Sequence, residues 1–170
     1  MKPDLEANEL ARQCAKAMWS TDNASQHLGM KLREVSSGQA VLSMVVQDFM
    51  ANGWGMCHGG YVSAVADSAF AFACNSHGEV TVAAGFDITL LLPAKVGDEL
   101  VATAVERARQ GRSGLYDVTV WRLVDGERQV VAEMRGRSRS LGKPIPLDPS
   151  TDKTVAGTDQ SQGTEARVDA

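Results

Sequence analysis

The sequence predicts an α+β fold in which a curved antiparallel sheet wraps around one apolar helix, with an additional helix at the N-terminus. Three observations carry that expectation. Residues 59–75 form an almost wholly apolar, alanine-rich stretch, too short to cross a bilayer and therefore expected as a helix buried on nearly all sides. Two β-rich runs precede it and four follow it without another helical pattern. The parts then pack most simply as a sheet folded over the helix.

In chain order, residues 5–19 place Leu10, Cys14, Ala17 and Met18 at helical spacing, and Asp4 precedes them as a cap for the first free amides. Runs at 28–35 and 39–46 are separated by Ser36, Ser37 and Gly38, which punctuate a hairpin. After the apolar helix, β-rich runs at about 80–92, 99–108, 115–124 and 129–140 are expected as a four-stranded meander. Pro93, Gly97, Gly111, Gly114 and the Asp125-Gly126 pair mark the turns.

A chain of 170 residues with 44% hydrophobic content is large enough for one cored domain, expected over residues 1–147. Residues 148–170 carry five acidic and two basic side chains with only Val155 and Val168 as large apolar groups, the composition of a disordered tail. The overall charge of −4 disfavours nucleic-acid binding. No apolar run is long enough for a membrane span, and the charged N-terminal region lacks the pattern of a signal peptide, so the expected location is the cytoplasm. Cys14, Cys57 and Cys74 are odd in number and without CxxC spacing, as in a reducing compartment.

Chemistry concentrates between Asn52 and Asp67. Two glycines, Gly59 and Gly60, open the apolar helix immediately after His58. Unpaired amides at such a start, reinforced by the helix dipole, suit developing negative charge, and glycine permits close approach of a ligand. Asp67 is the only Asp, Glu, Lys or Arg between His58 and Glu79. An unpaired carboxylate in an apolar helix costs several kcal/mol, and desolvation makes it more basic. Gly59 and Asp67 are eight residues apart, about 12 Å along one helix, so a single carbonyl cannot meet both. If both act on one acyl group, a second subunit must supply one of them through an antiparallel helix, and the protein is a homo-oligomer with shared sites.

The order of elements, Asn52, the His58-Gly59-Gly60 turn, Asp67 and the segment 69–76 resemble the hotdog-fold acyl-CoA thioesterases of the phenylacetate-degradation (PaaI) type. The resemblance spans roughly residues 25–140 and continues through 88–98 and 109–118. It implies a hotdog fold and hydrolysis of an acyl-CoA to acid and free CoA, with a phenylacetyl-type or hydroxylated aromatic acyl group favoured over a medium aliphatic chain. It implies that Asp67 activates water or attacks the thioester itself, and that the Gly59 amide polarises the carbonyl. Asn52 and His58 would support and orient that turn, with contact to the substrate or the attacking water as a second role for Asn52, and the acyl group would lie between subunits. The assembly is expected as a dimer or a dimer of dimers, and the resemblance favours the tetramer.

Some relatives hold the attacking water with a hydroxyl residue where this chain has Ala84-Gly85. Gly60, Arg109, Arg112, Ser113 and Gly114 are the expected substrate contacts, the last four near the nucleotide end of CoA. Guanidinium groups match phosphate geometry, and Arg135, Arg137 and Arg139 alternate along one strand face, although such rows are usually solvated. No cofactor is expected, and His27, His58 and His77 lack metal-ligand spacing. Cys57 beside His58 suggests a cysteine hydrolase only if adjacent side chains converge, which they rarely do. Two rival functions are a non-catalytic acyl-CoA sensor and a hotdog hydratase or dehydratase.

Overall fold

A computed structural model describes residues 4–147; the expected tail at 148–170 lies outside them. Helix α1 spans Leu5–Trp19, and Asp4 caps it by accepting a hydrogen bond from the Ala7 amide. A one-turn helix, α2 (Asn23–His27), follows and was not expected from the sequence. It displaces the start of the first strand: Gly29 takes a φ of +68°, and β1 runs only over Lys31–Ser36. Strand β2 (Gln39–Val45), the long helix α3 (Gly59–Cys74), β3 (Glu79–Leu90), β4 (Glu99–Gln110), β5 (Ser113–Val124) and β6 (Glu127–Pro144) complete the chain. Among the described residues no helix is long and apolar enough to cross a membrane.

The six strands form one antiparallel sheet in the order β1-β2-β4-β5-β6-β3. The expected four-stranded meander is therefore a three-stranded one. β4, β5 and β6 are joined by tight turns at Gly111-Arg112 and Asp125-Gly126, whereas β3 lies at the far edge against β6. The eight residues 91–98 between β3 and β4 cannot close a tight hairpin, and Pro93 has no amide to offer a ladder. They run instead beside the start of α3, where Cys57 N–H donates to Ala94 O at 2.8 Å.

Helix α3 lies on the concave face and touches all six strands. Alternating inward residues meet it: Leu100, Ala102 and Ala104 from β4, Tyr116, Val118 and Val120 from β5, and Ala132, Met134 and Gly136 from β6. Small residues on the sheet leave room for the large ones on the helix. Phe70 is fully buried, 5.4 Å from the Tyr116 ring, and Phe72 packs against Trp19 of α1. The C-terminal end is pinned by Asn75, which donates to Thr81 O (2.8 Å) and accepts from Thr81 N–H (2.8 Å).

The helix is not buried on all sides, as its composition suggested. Gly60, Ala64, Asp67 and Ala71, spaced to share one helix face, are exposed or half-buried in the protomer. The adjoining edge is also uncovered: on and after β3, Val82, Phe86, Leu90, Leu91 and Leu92 are exposed. Alanine-rich composition reports hydrophobicity and not which neighbour supplies the cover.

At Gly136 a Cβ would stand 2.9–3.0 Å from the Phe70 ring. Gly136→Ala is expected to overpack the helix–sheet contact and to lower stability by about 1–3 kcal/mol, read from urea unfolding. An unchanged midpoint would show that the ring moves aside freely.

Candidate active site

The loop before α3 is built to hold its first amide open. Asn52 Oδ1 accepts from the amides of Trp54 (2.9 Å) and Met56 (3.2 Å), which closes the loop on itself, and Gly55 supplies the positive φ (+73°) that the turn requires. His58 N–H donates to Met50 O at 2.8 Å and fixes the entry to the helix. Asn52 thus braces the turn with its oxygen, and no hydrogen bond joins its side chain to His58, Gly59 or Asp67.

His58 is the N-cap of α3. Its Nδ1 accepts from the Gly60 amide at 3.0 Å, so the neutral ring carries its proton on Nε2. His58 O accepts from Tyr61 N–H at 2.9 Å. Of the first three amides of the helix, two are thereby occupied, while Gly59 N–H makes no hydrogen bond to another described residue. A Cβ at Gly59 would come within 2.6 Å of Leu90 Cδ1, so β3 crowds this position and glycine admits it. The sequence offered no signal that Leu90 would stand here, because the contact joins the end of one strand to the start of a distant helix.

Asp67 lies two turns further along the same helix, half-buried, with no hydrogen-bond or ion-pair partner among the described residues. Burial alone raises its carboxyl above the ordinary aspartate range. Gly60, Ala64 and Asp67 follow one another on the uncovered face. Beside the helix start, a cavity of about 420 Å³ is lined by Leu28, Phe49, Ala51, His58, Gly60, Tyr61 and Ala64. A larger groove of about 930 Å³ between α1 and β1 contains none of the sequence-predicted site residues.

Arg109, Arg112, Ser113 and Gly114 cluster around the β4–β5 turn, near His77 and Cys74 at the other end of α3. Within one protomer the structure does not bring them to Gly59: the length of α3, about 22 Å, intervenes. The space among them is about 20 Å³, room for a single water. Arg112 Nε donates to Ser140 O (2.9 Å), and Arg139 donates to Ser113 Oγ (3.1 Å). Arg135 and Arg107 share Asp117, and Arg137 pairs with Asp87, so much of the arginine row is already engaged on the solvated outer face.

The Cys57 thiol is pushed up by burial and then by Asp98, and it donates to the His58 carbonyl oxygen at 3.6 Å, not to the ring. Among the described residues no base is hydrogen-bonded to this thiol. Gly85, at a bulge in β3 with φ +144°, carries no hydroxyl to hold a water. Among the described residues no three His, Cys, Asp or Glu side chains are placed to hold a metal ion.

Residues 55–128 match the family model described as the thioesterase superfamily, a span that includes the helix start, Asp67 and the three strands β3 to β5. The acyl-coenzyme A thioesterase PaaI of Escherichia coli is 39% identical over 135 residues, covering 79% of this chain and 94% of that protein. The chain belongs to the thioesterase superfamily. The structure of the Escherichia coli PaaI protein, from the phenylacetic acid degradation operon, aligns with a TM-score of 0.79 at 37% identity over 82% of this chain and 99% of that one, which makes the fold a hotdog. Human acyl-coenzyme A thioesterase 13 is 32% identical over 96 residues, 55% of this chain and 69% of the relative.

Because the folded state disfavours the charged form of Asp67, the chain gains stability when this carboxyl is protonated and loses it as pH rises from about 3.9, the ordinary aspartate value, through the raised folded value. Asp67→Asn is therefore expected to melt at a higher temperature than the parent at pH 7, and the gap to close near pH 3.5. A lower melting temperature at pH 7 would mean that a partner stabilises the carboxylate in the assembled protein.

Proposed function

We propose that this chain hydrolyses an arylacyl-CoA to the free acid and CoA, with the Gly59 amide as oxyanion donor and Asp67 as general base or nucleophile. Membership of the thioesterase superfamily, with relatives named acyl-CoA thioesterases, makes the chain a thioester hydrolase. The observation that carries the assignment of residues is the open Gly59 N–H beside a cavity, on the same helix as a carboxylate made basic by burial.

The thioester oxygen accepts from Gly59 N–H, aided by the positive end of α3. As a base, Asp67 takes a proton from water, the hydroxide adds to the carbonyl carbon, and collapse of the tetrahedral intermediate breaks the C–S bond and releases CoA thiolate, which is then protonated. As a nucleophile, a carboxylate oxygen adds instead, CoA leaves, and water hydrolyses the resulting anhydride. Neither route draws on a metal or redox cofactor. His58 serves as a positioning residue, since its cap on Gly60 leaves Gly59 as the amide that is free.

Because about 12 Å of helix separates Gly59 from Asp67, each site takes Gly59 from one chain and Asp67 from another. Two features support an assembly of this kind: the uncovered α3 face, and the exposed apolar edge at β3, a strand whose outer ladder has no partner within the protomer. An antiparallel partner helix would also move the Arg109–Gly114 cluster toward the partner's helix start, where it could meet the phosphates of CoA. The pull of a phenylacetic acid degradation relative favours an aromatic acyl group.

Release of CoA from aromatic and aliphatic acyl-CoAs tests the reading. Asp67→Asn is expected to lose at least about a hundredfold in kcat while still binding substrate, and the acid limb of the parent's kcat/KM profile should fall above the ordinary aspartate range. Tight binding without turnover in the parent would support an acyl-CoA sensor instead. Equimolar mixing of Asp67→Ala chains with Gly59→Val chains should restore up to about a quarter of the parent activity, because half the dimers are hybrids with one intact site. No recovery despite proven exchange would count against shared sites.

A further inference from the structure

The cavity at the start of α3 has a shape and a lining that the hydrolytic machinery leaves unexplained. His58 and Gly60, which flank the open Gly59 amide, form one side of it, and Leu28, Ala51 and Ala64 contribute small or aliphatic surface. The remaining walls are aromatic. Phe49, from the turn before the site loop, and Tyr61, from the first turn of α3, stand 5.9 Å apart at an interplanar angle of 84°. Phe49 is 58% exposed although it is a large apolar side chain, and Tyr61 is half-buried. The Tyr61 hydroxyl makes no hydrogen bond to another described residue, and Tyr61 meets its aromatic neighbours, Phe49 and His58, through its ring.

Two rings at right angles form a corner. A third ring entering it can stack on one and meet the edge of the other, the offset and edge-to-face geometries that aromatic quadrupoles prefer. A flexible alkyl chain gains area burial in the same corner but none of that directional attraction. At about 420 Å³ the cavity lies in the range of small-molecule pockets and has room for a ring with a short linker to the thioester. The cavity adjoins the turn, since His58 and Gly60 on either side of Gly59 line it, so a ring seated there would reach the Gly59 amide through a short spacer.

We propose that Phe49 and Tyr61 are the specificity-determining residues of this thioesterase, forming a corner that holds the ring of an arylacyl group with its thioester carbonyl at Gly59. This rests on the proposed function and adds to it the side chains that select the acyl group. Neither residue takes part in the chemistry; each acts on which acyl-CoA is bound productively. The tyrosine matters through its ring, so phenylalanine serves equally well at 61.

The test compares phenylacetyl-CoA with hexanoyl-CoA, in turnover by the parent background and in equilibrium binding to chains blocked by Asp67→Asn. Phe49→Leu and Tyr61→Leu, which keep an apolar side chain, should each lower kcat/KM and affinity for phenylacetyl-CoA by about three- to tenfold, with hexanoyl-CoA altered less than twofold. Tyr61→Phe should retain the preference for the aromatic substrate. Equal losses on both substrates would overturn the proposal in favour of a structural role, as would an unchanged ratio in both leucine variants. If the parent hydrolyses neither substrate, the hydrolytic reading fails, yet the binding ratio in the blocked chains still decides whether the corner selects a ring.

Discussion

Everything at the site depends on how α3 begins. A helix start leaves amides without partners, and here the sequence disposes of them unequally. The His58 ring takes Gly60 N–H, the His58 carbonyl takes Tyr61 N–H, and Gly59 N–H is left without a partner among the described residues. That arrangement holds only while the preceding loop is rigid, which explains why Asn52 spends its carbonyl oxygen on two loop amides and why the 91–98 segment is bonded to Cys57. A donor that must not reorganise during a reaction needs such bracing.

The sheet serves the same end from below. Gly136 on the concave face lets Phe70 of α3 sink into it, so the helix is located by close packing along its buried side. Its other side carries Asp67, whose carboxyl is held above the ordinary range by burial. In the proposed role of Asp67 as base or nucleophile, stability and reactivity oppose one another: a better-solvated or ion-paired carboxylate would cost the fold less and would be a weaker base.

Much of this was legible in the chain. The span of α1 and its Asp4 cap, the start of α3 at Gly59, and the approximate positions of all six strands follow from periodicity and turn residues. Residues 52–67 stood out as the candidate site because glycines, a histidine and a lone carboxylate lie together around the start of an apolar run. What escaped were contacts between distant segments: Leu90 against Gly59, the aromatic corner of Phe49 with Tyr61, and the place of β3. Phe49 and Tyr61 looked like ordinary apolar residues, since nothing in local pattern distinguishes a cavity wall from a core.

The sequence by itself determined the local elements, because hydrophobic period, caps and turns act over a few residues and are written there in full. It also determined that two groups eight residues apart on a helix cannot serve one carbonyl, which is a matter of rise per residue. The tertiary structure alone decided the strand order, since pairing β3 with β6 rather than β4 depends on where the 91–98 connection can travel. It alone decided which face of α3 stays uncovered, because that is set by what packs from far along the chain, whereas the free amide follows from the local bonds of His58 to Gly60 and Tyr61.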